Sequence, residues 1–400
     1  MNRLHGPLVY VCDGECRQRR AKGEIVETGN VRWSWRVAAV GVSALALAAS
    51  AVAGNASSAA AGNASSHSTY KRVNLVSDVP GRAQVTDPNL VNAWGASYGP
   101  GTPLWVSDAG ADVSTLYQGG IHGGPQTILD LVVNIPGGEP TGQAFNPTNE
   151  FVVHGSDGSS GVARFLFVGE TGHLTGWAPN VPATSPPPST EAQDAVVTPG
   201  ANYKGLAFGQ TQSGPRLFAA NFSAGTVDVY NGIFQRVITE GNFEDRQLPP
   251  RFAPFNVGVL NGKVYVAYAK QDAEKEDEVA GRGLGRVDVF NFDGELLRRL
   301  PQNGSLNAPW GLTIAPAGFG EFSGDLLVGN FGDGRIHAYN PTTLRLLGAV
   351  RNRHHDPVTI DGLWALIPGN GVEGGTDEIL FTAGPNDETH GLLGSLSVRH

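Results

Sequence analysis

Residues 307–350, NAPWGLTIAPAGFGEFSGDLLVGNFGDGRIHAYNPTTLRLLGAV, decide how the chain is read. They divide into four runs rich in Val, Ile, Leu and aromatic residues, at 311–315, 325–329, 335–339 and 344–350. Gly, Asn, Asp and Pro bound each run, and Gly332-Asp333-Gly334 makes a tight turn between the second and third. Short β-branched and aromatic runs punctuated by turn formers are the pattern of antiparallel strands. A lone four-stranded sheet cannot bury both faces, so this unit requires neighbours built like itself.

The neighbours are present. LFAANF at 217–222 followed by GTVDVY at 225–230 repeats LLVGNF and GRIHAY, with an aromatic at the same end. LWVSDAG at 104–110 leading to STLY at 114–117 is a third copy, and VYVAY at 264–268 continuing to GRVDVF at 285–290 is a fourth. Two looser copies pair 151–154 with 163–168 and 379–383 with 392–398. A Gly-centred first strand precedes each pair, at Gly95, Gly142, Gly205, Gly258, Gly311 and Gly362, with spacings of 47, 63, 53, 53 and 51 residues. Self-similarity at such a period with four strands per unit specifies a β-propeller, and six copies specify six blades.

Two irregularities explain each other. A strand at 73–76 lies ahead of the first glycine, and the last unit offers three strands only, at 362–367, 378–383 and 392–398. The N-terminal strand is expected to supply the fourth, which removes an exposed sheet edge. The expected fold is all-β: a six-bladed β-propeller of four-stranded blades over 70–400, closed by an N-terminal strand that completes the last blade.

Residues 1–53 read as a leader and secretory signal peptide. Arg32-Trp33-Ser34-Trp35-Arg36 precedes an apolar run at 37–53 that ends in Ala51-Val52-Ala53, which makes a basic region, an apolar region and a small-residue cleavage site. The true start is expected at Val31, which leaves Cys12 and Cys16, the only cysteines, outside the mature chain. The Ala-rich run is too short for a stable membrane span, so no membrane association is expected after cleavage. Residues 54–69 are a low-complexity Ala/Ser/Asn stretch and read as a disordered spacer. Cleavage removes seven Lys/Arg and four Asp/Glu, leaving 21 basic and 33 acidic residues and a net charge of −12. That balance argues against nucleic acid as a partner.

In an antiparallel blade, the loop leading into strand one and the loop joining strands two and three lie on one face. The loops leading in carry Asn92, Asn256, Asn307, His354, His355, Asp356 and Asp361. The second-to-third loops carry Asp108, Asp112, His154, Asp157, Asn221, Asn330, Asp333, Asn386 and Asp387. Oxygens converging on a propeller axis suit a hard cation, so Ca²⁺ is the one cofactor this face suggests; the same residues also serve turns for their own backbone bonds. Two insertions stand out. The acidic 271–284 (QDAEKEDEVAGRGL) reads as a solvated loop, and the Pro-rich 179–198 reads as a surface loop between the second and third blades. No G-x-S-x-G elbow, Rossmann or P-loop pattern occurs.

LWVSDAGADVSTLY, LFAANFSAGTVDVY and LLVGNFGDGRIHAY are similar to NHL-type propeller repeats. Together with NLVSDVPGRAQVTDPNLVNAWG and NAPWGLTIAPAGFG, they resemble a family of secreted bacterial propeller proteins of unassigned function, over about residues 70–398. The resemblance brings no catalytic residues. In calcium-dependent lactonases of similar architecture, a Glu, two Asn and an Asp hold the metal near the axis. Asn256, Asn307 and Asp361 would take such parts here, and no Glu in a first strand completes the set.

Two readings follow. The first is a secreted, monomeric scaffold that binds an extracellular ligand or protein on the face carrying Asn92, Asp108, Asn221, Asn330, His354 and His355. The alternative is a Ca²⁺-dependent hydrolase of the lactonase or esterase kind, with its site at the central channel. Export is checked by intact mass of the secreted protein: cleavage after Ala53 is expected, and a mature N-terminus upstream of Val37 rules it out.

Overall fold

Along the strand Gly214–Asn221, Leu217 and Ala219 point into an apolar cluster shared with Leu166 and Leu174, whereas Phe218 and Ala220 point into another shared with Val257 and Val266. This period-two alternation sandwiches one sheet between two apolar layers. Six clusters of this kind fill the gaps between successive sheets and a seventh lies on the axis. The computed structural model describes residues 67–399. The expected leader and signal peptide, and the spacer up to residue 66, lie outside the described residues.

The sheets run from Ala93–Ser97 to Gln126–Ile128 (blade 1), Pro140–Phe145 to Gln193–Val197 (blade 2) and Tyr203–Thr211 to Arg236–Val237 (blade 3). They continue from Phe252–Leu260 to Leu296–Arg299 (blade 4) and Pro309–Ile314 to Leu346–Ala349 (blade 5). The first strands of successive blades touch one another in a closed ring. Blade 6 consists of Leu363–Pro368, Ile379–Ala383, Leu392–Val398 and the N-terminal strand Tyr70–Ser77. That last pairing is antiparallel from Tyr70↔Val398 to Ser77↔Leu392, with a register shift between Asn74 and Val76. Tyr70, Leu75 and Val76 are buried by it. The sheet closes as the sequence implies.

Three local readings are corrected. In blade 2, the run at 151–154 is not strand two, and the run at 163–168 is strand two rather than strand three. Val152–His154 pairs with Ser160–Val162 in a separate hairpin, and the blade uses Phe165–Gly169 and His173–Trp177 instead. The hairpin copies the apolar pattern of a blade strand because Phe151, Val153 and Ala163 are buried beside it in the gap between blades 2 and 3. The Pro-rich loop consequently lies inside blade 2, ahead of its fourth strand Gln193–Val197, and Trp177 Nε1 donates to Ser189 O at 2.8 Å to hold it. In blade 4, Asn256 rather than Gly258 stands at the position of Gly205: a β-carbon at Gly205 would sit 2.9 Å from Asn256 Cα. Finally, the acidic insertion is not wholly solvated. Glu278–Val279 pairs with Lys270 and Gln271, and Glu278 is buried.

The closing strand carries a stability expectation. At about 2 kcal/mol per buried apolar side chain, losing Tyr70, Leu75 and Val76 removes an amount comparable to a typical domain's whole stability. Deleting residues 67–77 is expected to lower the melting temperature sharply. A truncated protein that melts like the intact one would show that the ring closes without this strand.

Candidate functional site

At one end of the axis, loops from four blades converge on a lysine of a fifth. Lys204 follows Tyr203 in the first strand of blade 3 and precedes Gly205, so it occupies the place that Trp94 and Trp310 take before Gly95 and Gly311 in blades 1 and 5. Inward-pointing side chains at this level fill the axis. Trp94 stacks on Trp364 at 3.8 Å, Phe331 stacks on the same ring at 4.0 Å, and Phe255 and Trp310 approach it at 5.8 and 6.0 Å. Trp310 Nε1 donates to Lys204 O at 2.8 Å. The plug is aromatic and closes the centre at that height.

The Lys204 ammonium lies on this plug, 1% exposed, 5.3 Å from the Trp94 ring and 5.9 Å from Phe222. It is bonded to Glu170 Oε1 and lies 3.5 Å from Asp277 Oδ1. Glu170 comes from the turn between strands two and three of blade 2, and Asp277 and Glu278 from the acidic insertion of blade 4. Glu388 comes from the second-to-third loop of blade 6, and its Oε2 accepts Asn92 Nδ2 at 2.9 Å. Asn92 stands in the left-handed region (φ 47°), where asparagine is tolerated, and its Oδ1 accepts Trp364 Nε1 at 3.0 Å. One amide thus ties the carboxylate shell to the aromatic plug.

The electrostatics follow from burial and charge count. Burial works against the Lys204 charge, but Glu170, Glu278 and Asp277 more than offset it and hold the ammonium above its ordinary range. Burial pushes the Glu278 carboxyl up to about 8, against the pull of Lys204 and with the help of Glu388. Glu388 is raised as well, by burial first. Four carboxyl groups therefore face one lysine. An ammonium held protonated is neither a nucleophile nor a base. The cluster can bind positive charge, and Glu278 can exchange a proton near neutral pH.

The residues singled out from sequence go to several places. Asn92 belongs to the axial cluster. Asn256 Nδ2 donates to Trp310 O (2.7 Å) and its Oδ1 accepts Val257 N (2.8 Å). Asn307 Oδ1 accepts Gly281 N (2.6 Å), and Asn307 N donates to Asn330 Oδ1 (3.2 Å), which brings those two asparagines together. Asp361 is exposed and accepts Asn386 N at 2.9 Å. No shared partner links Asn256, Asn307 and Asp361. Asn221 is bound to the buried Asp228 (3.0 Å), and Asp108, fully buried in its strand, accepts Thr115 Oγ1 at 2.7 Å. Burial drives the Asp108 carboxyl well up. His354 and His355 are exposed on the loop after blade 5, beside the closing strand, where Tyr70 N donates to Arg351 O. Among the described residues, no three His, Cys, Asp or Glu side chains gather as a metal centre.

Sequence reading missed Lys204, Glu170 and Glu388. The signal for Lys204 was its register, one residue before a first-strand glycine, where other blades carry tryptophan. Glu170 was hidden by the misplaced strands of blade 2.

No family model matches the chain. An uncharacterised protein of Acanthamoeba polyphaga mimivirus is 33% identical over 340 residues, 82% of this chain and 80% of the viral protein. A second from the same virus is 32% identical over 338 residues, 82% of this chain and 86% of its own length. Among solved structures, virginiamycin B lyase from Staphylococcus aureus aligns over 83% of this chain and 99% of its own at 11% identity, with a TM-score of 0.45. A putative gluconolactonase aligns over 65% of this chain and 88% of its own at 13% identity, with a TM-score of 0.41.

The axial acids make stability depend on pH. Glu278 has a folded-state value near 8 against an ordinary 4.5, so its favourable contribution is full below about 4.5 and is lost as pH rises through about 8. Relative to wild type, Glu278→Gln is expected to gain stability between pH 5 and pH 9 in thermal melts. An equal difference at both pH values would show that Glu278 titrates normally.

Proposed function

The chain belongs to the same family as the two mimivirus proteins, and we propose that it is a binding scaffold whose acidic axial face takes a positively charged ligand. The observation that carries this reading is the Lys204 cage. One buried ammonium already occupies the space against two aromatic rings and a carboxylate shell, so a ligand would meet the acids around that cage rather than enter it. The shell has more acid than its own lysine neutralises. Around it, Asp272, Glu274, Glu276 and Asp277 crowd the insertion with Lys275 as the one nearby base within that run. Such a surface attracts a cationic segment and discriminates against anions.

The aromatic plug also supports binding over turnover, because a ligand would rest on a rigid floor rather than enter a channel. The export signal read in residues 31–53 would set this face outside the cell, with a partner that is an extracellular basic protein segment. A secreted bacterial NHL-like propeller remains the finer family reading.

A lysine- and arginine-rich peptide titrated calorimetrically provides the test. Binding is expected at low salt, weakening as salt screens the charges and falling about tenfold or more in a Glu388→Gln/Asp277→Asn double variant. Absence of peptide binding, combined with Ca²⁺-dependent turnover of lactones or aryl esters that Asp361→Asn abolishes, would favour the hydrolase instead.

A further inference from the structure

A second acidic site lies away from the axis, where the ring closes. The loop 369–378 (GNGVEGGTDE) joins the first two strands of blade 6 and is laced to blade 1: Gly119 N donates to Val372 O (2.7 Å), Gly374 N to Gly119 O (2.8 Å) and Asn370 Nδ2 to Thr102 O (3.0 Å). These bonds carry two glutamates into the joint. Glu373 and Glu378 are both 0% exposed, and Gln126 of blade 1 is 9% exposed beside them. Gln126 Nε2 donates to Glu373 Oε2 at 3.1 Å, and Glu378 Oε2 accepts His122 N at 2.7 Å and Gly375 N at 2.6 Å.

Each of these three side chains is left with one buried oxygen that has no partner: Glu373 Oε1, Glu378 Oε1 and Gln126 Oε1. A buried carboxylate without a counter-charge is costly, and so is an unpaired buried acceptor. Two such carboxylates in one joint call for a positive charge. Protonation answers only in part. Burial, against the hydrogen bond from Gln126 and with some help from the Glu378 charge, pushes Glu373 up to about 8, but a proton on Glu373 supplies a single donor for three lone oxygens.

We propose that Glu373, Glu378 and Gln126 form a binding site for one Ca²⁺ ion that joins blade 6 to blade 1. Two carboxylates neutralise a divalent charge, and carboxylate and amide oxygens in a flexible arrangement are what Ca²⁺ selects. The donor set contains two acids and one amide, so it differs from the three-acid or histidine patterns of other metal centres. This site shares no residue with Asn256, Asn307 and Asp361, nor with the Lys204 cage.

The test is calorimetric titration of Ca²⁺ into chelator-treated full-length protein, together with thermal melts. One bound equivalent is expected, with a rise in melting temperature through mass action. Glu373→Gln and Glu378→Gln should each weaken binding at least tenfold, whereas Asp361→Asn and Glu388→Gln should leave it unchanged. Absence of binding by the wild type would overturn the site, without reference to how any variant folds. Retention of the bound equivalent in both glutamate variants would overturn it too.

Discussion

A β-carbon added at Gly205 would stand 2.1 Å from Asn256 Oδ1, one at Gly142 2.2 Å from Leu206 N, and one at Gly95 2.3 Å from Thr141 O. The first strands of neighbouring blades approach backbone to backbone, and this contact sets the radius of the ring. At 95, 142 and 205 glycine permits this approach, because an added β-carbon would overlap the neighbouring strand. Where blade 4 replaces glycine with Asn256, the side chain takes up the space as a spacer, bonding Trp310 O and Val257 N. With the radius held so small, residues one position earlier meet on the axis. That is why Trp94, Phe255 and Trp310 form a plug with Trp364, and why Lys204 is buried among them.

A lysine fixed in that place imposes a charge requirement on everything above it. Its burial is tolerable only with carboxylates at hand, and no single blade supplies them. Glu170, Asp277, Glu278 and Glu388 come from three other blades, so the cluster couples the ring across its diameter as well as around its rim. The surplus of acid over base is the property that a cationic ligand would use.

Closure is the second dependence. Blade 6 is assembled from both ends of the described chain, with Tyr70–Ser77 zipped onto Leu392–Val398. The joint between blades 6 and 1 holds further ties: Tyr98 OH donates to Pro368 O at 2.8 Å, and Glu378 gathers His122 N and Gly375 N. An ion at Glu373 and Glu378 would reinforce the seam between first and last blades, where a propeller is most exposed to opening.

The amino-acid sequence by itself determined the blade count, the four-strand unit and the closing strand, because these rest on local periodicity and on turn residues. LFAANF and LLVGNF carry their strand identity in six residues each. It also marked Asn92, Asn307 and Asn330 as residues of one face. Register was harder. The hairpin around Val153 has the same apolar alternation as a blade strand, so burial in an inter-blade gap and membership of a blade look identical along the chain. Only the tertiary structure decided which polar groups meet. Lys204 and Glu388 are 184 positions apart in the numbering, and Glu278 sits in a run that reads as solvent-exposed. Their encounter depends on the ring radius and on the facing of loops from separate blades, and side-chain chemistry at a distance in sequence leaves no periodic trace. The same holds for Gln126 and Glu373, which are brought together by the closure of the ring.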